Sequence, residues 1–440
     1  PETVGELRVY ESISGPQQRA LVLSGAAADQ GHTQGVHLGE EIAALHNEII
    51  IPFYNKTLVD PVAIAGGKTG YQAVRELVAR FEFSGDLSVY VDELQGMLEG
   101  MGANLATNLQ LVDGDQQWTM DLTDLIALQL VDDLWGTHCK SAMVWPEGNE
   151  TVPYPYHISV IDWDTALGPY NVVVAYDNSG DAGRMSWIGP SWSGNIAGFL
   201  FGLNEAGAMY SYVSSGGELR RCPEGSGPCL DQRFSALEGM PLHSTAFVTR
   251  RSFELASTVD EAWALLEDVI TMTVSSFAMT ELASGEQSGV IMEIVYPGIE
   301  DMWGAGYGYT FNPTSRPNQL LHFAPDPVDE PFAPVLASVA LRLGIVDIPD
   351  GDLQPAWLAL RDGLISLYPA GVSTATLTDI VDDPPVYADH TTQITIGKAI
   401  IDETGNHSVM DVFFSGAPGH NVWGAYASHA SYTWNDLLGP

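Results

Sequence analysis

Hydrophobic and polar residues follow two different periods along the first third of the chain. Residues 7–23 contain two short apolar runs around a Gly-Pro turn, a pattern typical of a β-hairpin. Between residues 30 and 135 the apolar residues recur at helical spacing, in GHTQGVHLGEEIAALHNEIIIPF, GYQAVRELVARF, VYVDELQGMLEGM and DLTDLIALQLVDDLW. The sequence therefore predicts a hairpin followed by a mainly helical segment.

After residue 139 the pattern predicts strands. A multi-stranded antiparallel sheet is predicted from SAMVW, YHISVIDWD, YNVVVAYD and SGNIAGFLFGLNEAGAMYSYV. Two helices follow, in HSTAFVTRRSFELA and TVDEAWALLEDVI, and Thr258 and Glu261 form a capping box at the start of the second. Further strands are predicted in SGVIMEIVYP, GYGYTFNP, TTQITIGKAII and SVMDVFFSG, with a helical insertion around 332–367. Strands, then helices, then strands indicate an α+β fold in which helices cover layers of sheet.

The charge balance narrows the classes of partner. Seventeen Lys and Arg residues face 56 Asp and Glu residues, which gives a net charge of −39. Phosphate groups would be repelled, so nucleic acid and anionic membrane surfaces are not expected partners. No apolar run reaches about 18 residues, so no membrane span is predicted. We expect a small-molecule ligand, while the oligomeric state stays open.

Two of the three cysteines stand close together. Cys222 and Cys229 enclose the Pro/Gly turn of CPEGSGPC, a spacing suited to a disulfide-closed loop. The alternative, a two-cysteine metal corner, lacks a second Cys or His pair nearby, and the scattered histidines predict no other metal site. The chain also starts at Pro1 without a leader, as a mature chain would. These features predict a secreted or periplasmic protein with no bound metal.

The third cysteine, Cys139, stands alone in WGTHCKSAMVW, where the helical segment gives way to a strand. A lone Cys can be a small buried hydrophobe. It can also be a nucleophile: if the His138–Cys139 bond were cut, Cys139 would carry both a thiol and a free α-amino group. Because an α-amino group has an ordinary pKa of about 8, it can take the thiol proton without a histidine. If the bond stays intact, His138 or His157 would be the first candidates for the base.

Several segments together resemble a known family. In order, HCKSAMVW, ISVIDWD, GFLFGLNEAGAMYS, VDEAWALLEDV and YTFNP are similar to segments of the N-terminal-nucleophile hydrolases of the penicillin acyltransferase and phospholipase B-like kind, and LSGAAADQGHTQGVHLGEEI is similar to the segment before their first long helix. The resemblance implies a four-layer αββα sandwich and self-cleavage between His138 and Cys139. Residues 1–138 would form a helical fragment and residues 139–440 the catalytic fragment, and the two would stay associated.

The resemblance also assigns roles to three polar residues. Asp162 in VIDWD matches the acidic residue near the amine of the nucleophile, although a strand-end Asp also makes turn hydrogen bonds. Asn204 in GLNEAG matches an asparagine that donates to the oxyanion, and ordinary turn chemistry explains it equally well. Both roles can hold at once. Asn312 in YTFNP matches a later asparagine near the substrate amide, whereas a capping Asn before Pro313 is the alternative.

One position departs from the family pattern. Ser159 stands where the family carries an arginine beside the nucleophile, and Arg184, Arg220, Arg221 or Arg316 would have to replace that charge. The predicted function is a self-processing cysteine amidase that cleaves a linear amide of an N-acyl compound through a thioester, with possible acyl transfer to an amine and without a cofactor. The alternatives are a phospholipase B-like ester hydrolase and a catalytically silent secreted binding protein of the same fold.

Overall fold

A computed structural model describes most of the N-terminal half of the chain and parts of the rest. The described residues are 5–57, 68–103, 108–134, 140–144, 156–162, 165–181, 183–197, 201–214, 242–266, 269, 275–282, 289–294, 335–336, 363, 373–381, 391–402, 405–414 and 428–439. The predicted strand in GYGYTFNP and most of the 332–367 insertion lie outside them.

The elements are numbered here in chain order among the described residues. The helices are α1 (Ala27–Leu45), α2 (Ile51–Thr57), α3 (Gly70–Val78), α4 (Ser88–Ala103), α5 (Leu122–Gln129), α6 (Val131–Leu134), α7 (Thr245–Leu255), α8 (Val259–Leu266), α9 (Thr374–Val381) and α10 (Trp434–Leu438). The strands are β1 (Gly5–Tyr10), β2 (Gln18–Ser24), β3 (Gln110–Asp113), β4 (Gln116–Thr119), β5 (Lys140–Val144), β6 (Tyr156–Asp162), β7 (Asn171–Asp177), β8 (Trp187–Trp192), β9 (Phe201–Asn204), β10 (Met209–Ser214), β11 (Ser275–Thr280), β12 (Gly289–Ile294), β13 (Val335–Leu336), β14 (Thr391–Lys398), β15 (Ile401–Asp402), β16 (Gly405–Asn406), β17 (Val409–Phe414) and β18 (Ser428–Thr433).

The mixture of helices and sheets confirms the predicted α+β class. The N-terminal hairpin forms as β1 and β2, and the predicted helical stretches form α1 to α6. The capping box at α8 is also present, because the Glu261 carboxylate accepts from the Thr258 amide at 3.1 Å and the Thr258 hydroxyl accepts from the Glu261 amide at 3.3 Å. Helices α1 and α2 are joined by a π-helical turn, His46–Ile50.

The strands between residues 140 and 214, predicted to form one antiparallel sheet, divide between two large sheets. An eight-stranded sheet has the order β1-β2-β7-β8-β9-β10-β11-β12, and a six-stranded sheet has the order β13-β5-β6-β14-β17-β18. Strand β2 pairs with β7 in parallel, whereas the other neighbours that are paired in these sheets run antiparallel. The hairpin from residues 1–138 is therefore built into the same sheet as strands from residues 139–440.

The two faces of the eight-stranded sheet bury different layers. In β7, Val172, Val174 and Tyr176 belong to the core shared with the helices, whereas Val173 and Ala175 belong to the core between the two sheets. A strand that is covered on both faces carries apolar residues at successive positions, which explains the nearly continuous apolar sequence NVVVAY of β7. The structure thus contains a helical layer, the eight-stranded sheet and the six-stranded sheet, in that order.

The outer face of the six-stranded sheet is buried at its centre. Ile158 and Val160 of β6 lie opposite Ile396 and Ile394 of β14, and all four side chains are buried. Helix α9 contacts β14. A complete fourth layer of helices on this face stays a prediction.

Helices α1 and α4 cross unusually closely because glycines line the contact. A Cβ atom on Gly31 or Gly35 would lie 1.8 or 2.1 Å from the carbonyl oxygen of Glu93 or Met97. The glycines of α4 are placed reciprocally, since a Cβ on Gly96 or Gly100 would meet a carbonyl oxygen of α1 at 2.0 or 2.1 Å. Any larger side chain would push the helices apart, so the crossing fixes the helical layer over the sheet.

Replacing a contact glycine should therefore destabilise the fold. A Cβ at position 35 would meet backbone atoms, which cannot move aside as the end of a flexible side chain can. We therefore expect Gly35→Ala to lower the free energy of unfolding by at least the roughly 1–3 kcal/mol typical of overpacked cores. Gly102→Ala is the matched control, since nothing lies within 4 Å of a Cβ there. The control should be neutral or more stable by up to about 1 kcal/mol. Urea midpoints of both variants test this, and equal midpoints would contradict the close crossing.

Candidate functional site

The structure describes only part of the predicted site. For Asp162 it describes the backbone, which pairs with Thr391 where β6 meets β14. Asn204 is described completely. Five further predicted residues lie outside the described residues: His138, Cys139, Cys222, Cys229 and Asn312. Strand β5 begins at Lys140, directly after Cys139 in the sequence.

A chain of polar side chains is buried between the two sheets beside the start of β5. Nε2 of His157 on β6 lies 2.6 Å from Oγ of Ser211 on β10. Ser211 Oγ in turn donates to Oγ of Ser141 on β5 at 2.7 Å. All three side chains are buried. The cluster joins two strands of the six-stranded sheet to one strand of the eight-stranded sheet.

Hydrogen counting fixes the direction of this chain. Ser211 has one hydroxyl hydrogen and gives it to Ser141. Nε2 of His157 must therefore carry the hydrogen that it shares with Ser211. Burial lowers the pKa of His157 to about 3, opposed in part by a backbone hydrogen bond at Met209. The imidazole is consequently a neutral donor across the ordinary pH range.

The described residues around the cluster carry no cation. Ser159, at the position of the family's arginine, lies directly opposite Ser141 in the β5–β6 register and is fully buried. Thr395 of β14 is the neighbour of Ser159 on the other side. The His157 ring stands edge-on to Phe201, with ring centroids 5.6 Å apart. The cluster is thus a neutral polar group within a largely apolar layer.

Asn204 lies on the other face of the eight-stranded sheet. Its neighbour Leu203 packs between the sheets, and the Asn204 side chain points toward α7 instead. Its Nδ2 atom donates to the carbonyl oxygens of Phe253 and Ala256 at 3.1 and 2.9 Å. Its Oδ1 atom accepts from the amides of Ala206 and Ala208. These contacts close the β9–β10 turn and cap the end of α7, as the turn interpretation predicts.

Arg184, one candidate for the missing cation, is also on the helical side of the sheet. It contacts Asp181 at 2.8 Å and Glu254 at 3.4 Å. Arg184 is therefore engaged in an ion-pair network and is not placed at the Ser141 cluster. The other candidates, Arg220, Arg221 and Arg316, lie outside the described residues.

That network centres on a second arginine, which the sequence pattern did not single out. Arg250 of α7 is fully buried and lies 2.6 Å from Glu93 of α4 and 2.9 Å from Glu254. Its guanidinium carbon is 4.1 Å from the ring centroid of Tyr176 on β7. Burial disfavours its charge, but Glu254 and Glu93 outweigh this and raise the pKa of Arg250. The network links α4, α7 and the sheet.

A buried acid lies at the start of α7. Both carboxylate oxygens of Asp133 accept from the Thr245 amide at 3.1 Å, and one accepts from the Thr245 hydroxyl at 2.6 Å. Burial raises the pKa of Asp133 to about 7, although the bonds from Thr245 and Ser244 oppose the shift. Asp133 is six residues before Cys139 in the sequence. It ties the end of the N-terminal segment to α7.

The described residues offer no grouping of three His, Cys, Asp or Glu side chains that could hold a metal ion. Within the same residues, no helix is both long and apolar enough to cross a membrane.

Comparisons with known proteins show a distant similarity in structure. No protein-family model and no curated protein matches the sequence. Among solved structures, a Caenorhabditis elegans ortholog of N-acylethanolamine-hydrolyzing acid amidase is 14% identical, with a TM-score of 0.39. The match covers 58% of this chain and 91% of that protein.

The contacts of Asn204 predict a stability defect when its amide is removed. Asn204→Ala would strip hydrogen bonds from the Phe253 and Ala256 carbonyls and from two turn amides, at a cost of roughly 1–3 kcal/mol for each buried group left unpaired. Urea denaturation should show a clearly lower midpoint, whereas Asn435→Ala, at an exposed position, should not. If Asn204 served only the oxyanion, stability would be unchanged and turnover would fall.

The raised pKa of Asp133 predicts a pH-dependent stability. Between its ordinary pKa of 3.8 and about 7 the folded protein binds a proton that the unfolded chain releases. The contribution of Asp133 to the free energy of unfolding therefore falls as pH rises through this range, by an amount on the order of a few kcal/mol. Asp133→Asn should remove that decline, and Asp260→Asn, at an exposed position, should keep it. Identical pH profiles for the wild type and Asp133→Asn would contradict the assignment.

Proposed function

We propose that the protein is a cysteine amidase that cleaves N-acyl compounds with Cys139 as nucleophile. One observation supports this proposal above the others: the lone thiol directly precedes β5, whose Ser141 takes part in a buried polar cluster between the sheets. The order of family-like segments along the chain supports the same assignment. The N-terminal position of the nucleophile requires cleavage of the His138–Cys139 bond.

The proposed reaction uses the two functional groups of the freed Cys139. Its α-amino group takes the thiol proton, and the thiolate attacks the acyl carbon of the amide. The tetrahedral intermediate collapses as the C–N bond breaks, and the leaving amine receives the proton from the α-ammonium group. Water then cleaves the thioester in a second addition. Asp162 is proposed to orient the α-amino group and Asn312 to contact the substrate amide.

The neutral cluster favours an uncharged acyl group. Ser159 replaces the family's arginine, and Phe201 adds an apolar ring, so the described surroundings offer no partner for an acyl carboxylate. The net charge of −39 also disfavours polyanionic substrates. Water is the proposed acyl acceptor, with a small amine as a second possibility. A secreted or periplasmic location is part of the proposal.

A silent binding protein of the same fold is the second candidate. Two observations favour it. Ser159 stands where the family carries an arginine, and both amide hydrogens of Asn204 are donated to backbone carbonyls. Such a protein would bind N-acyl compounds without turnover. Ester cleavage in the manner of phospholipase B-like proteins would use the same thiol and is distinguished by substrate choice alone.

The proposal predicts that Cys139 is needed for both cleavage and turnover. Wild-type protein should separate into fragments 1–138 and 139–440 in denaturing mass analysis and should hydrolyse p-nitroanilides of short, medium or long fatty acids. Cys139→Ala should remain one inactive chain. The double variant Cys222→Ser/Cys229→Ser keeps Cys139 as its only thiol and should cut itself and react with a thiol-directed electrophile.

Two outcomes would contradict the proposal. An uncut wild-type chain that still hydrolyses amides would exclude the α-amino group as the base. His138 or His157 would then be the candidate base. An uncut and inactive wild-type chain that nevertheless binds the fatty acyl compounds would favour the binding protein.

A further inference from the structure

His46 is a buried histidine at the junction of α1 and α2. It is the first residue of the π-helical turn His46–Ile50, and it is fully buried. Its Nδ1 atom lies 2.9 Å from the carbonyl oxygen of Ile42 in α1, and its Nε2 atom lies 3.0 Å from the carbonyl oxygen of Asp124 in α5. The ring therefore bridges two helices through their backbone oxygens.

Hydrogen counting decides the protonation of this ring. A carbonyl oxygen has no hydrogen to donate, so each nitrogen of His46 can bond its partner only as a donor. A neutral imidazole carries one N–H group, whereas an imidazolium carries two. In a neutral His46 one nitrogen lone pair would face a carbonyl oxygen, at 2.9 or 3.0 Å, in a site closed to water. The two contacts together therefore fit the imidazolium.

The charges around Asp124 also favour a cation at this position. Arg75 of α3 forms ion pairs with both Asp121 and Asp124 at the start of α5. The Asp124 carboxylate accepts further bonds from neutral donors, the Tyr71 hydroxyl and the Trp118 indole. Two carboxylates and one guanidinium leave one negative charge in excess. An imidazolium next to Asp124 would balance that charge, which offsets part of the cost of burying it.

Other described charged or titratable groups on the elements that pack against the π-helical turn, α1, α2 and β3, are engaged elsewhere or exposed. Those near the turn with partners are Glu41 (with Arg19), Glu48 (with Tyr170), Tyr54 (with the Ala127 carbonyl) and Asp113 (with Asn55), and those exposed are His37, Glu40 and Lys56. Asp29 and His32 lie about 20 Å or more away along α1. The proton on His46 is therefore held by its two carbonyl partners and the Arg75–Asp121–Asp124 group.

We propose that His46 is a proton-operated latch of the helical layer. As an imidazolium it joins α1 to α5 through two hydrogen bonds. When it releases one proton to solvent, one bond is lost and a lone pair is left against a carbonyl oxygen, so α5 loosens from the junction of α1 and α2. The closed layer binds this proton better than an opened layer does. Acid therefore favours the closed layer, and raising the pH favours opening. The inference does not depend on the proposed amidase function.

Nuclear magnetic resonance of the full chain, labelled with ¹⁵N at its histidines, tests the protonation. Spectra recorded between about pH 5 and pH 8, where histidines ordinarily change charge, should show two protonated ring nitrogens on His46 at low pH and one at high pH. His157 is a neutral donor and should show one protonated nitrogen throughout, so it serves as the internal reference. His46→Gln and His157→Phe assign the two sets of signals.

Hydrogen–deuterium exchange tests the latch itself. Asp133→Asn is the parent protein, because Asp133 also changes stability with pH. Amide protection in α5 and the π-helical turn, corrected for intrinsic exchange rates, should fall about 10-fold to 100-fold as His46 loses its second hydrogen, as expected for a bond to a charged group. Protection in β7 should change by less than about threefold. His46→Gln in this parent keeps an amide donor that does not titrate, and it should remove the pH dependence.

Several results would overturn the inference. One is a single protonated nitrogen on His46 at every pH at which the protein is folded, and another is two protonated nitrogens over that whole range. Protection of α5 that does not follow the loss of the second hydrogen would also overturn it, as would a His46→Gln protein with the pH dependence of its parent. If His46→Gln does not fold, the spectra and the exchange of the parent decide the question. The amidase proposal stands or falls separately, by the Cys139 variants.

Discussion

The buried ion pair between Arg250 and Glu93 is the contact on which much of the described structure depends. A guanidinium held between two carboxylates is stable away from water only while every partner is present, and losing one typically costs 3–5 kcal/mol. This requirement fixes α7 against α4 and the eight-stranded sheet. The end of α7 then anchors the side chain of Asn204, which closes the β9–β10 turn. Strand β10 carries Ser211, so the ion pair contributes indirectly to placing the polar chain on the opposite face.

That polar chain is unusual because its surroundings are otherwise apolar. The layer between the sheets is filled by side chains such as Val173, Leu203 and Met410. Burying hydroxyl and imidazole groups there is costly unless they are hydrogen-bonded, and the chain satisfies most of that requirement internally. The exception is Nδ1 of His157, which has no hydrogen-bond partner among the described residues. A strained or incompletely paired polar group in a native core is frequently a functional one, and here it lies beside the strand that follows the lone thiol.

Local pattern predicted the elements better than their assembly. The helical spacing of apolar residues correctly predicted α1, and the capping box correctly predicted the start of α8. The Gly-Pro turn predicted the hairpin of β1 and β2. The pattern of apolar and polar residues does not show which sheet a buried strand joins. Strands β5 and β7 were therefore predicted in one sheet although they belong to two. Nor can the pattern distinguish Arg250 from Arg251: both sit on α7, but only the first meets a carboxylate from α4, more than 150 positions earlier. Asn204 fitted two roles in sequence; its described contacts are those of the turn role, and the oxyanion role stays a prediction. The buried cluster was not predicted either, because the partners of Ser141 on β6 and β10 are distant from it in sequence.

Strand β2 lies before the proposed cleavage site and its parallel partner β7 lies after it. A backbone ladder in the middle of a sheet would thus run between two separate polypeptides once the chain has been cut. Folding of the precursor is unimolecular, whereas renaturation of the mature protein would require two chains to meet and would become concentration-dependent. The native state of a cleaved molecule would then be preserved by slow unfolding rather than by ready refolding. Assembly would in this sense be a single event in the life of each molecule, completed before the chain is cut.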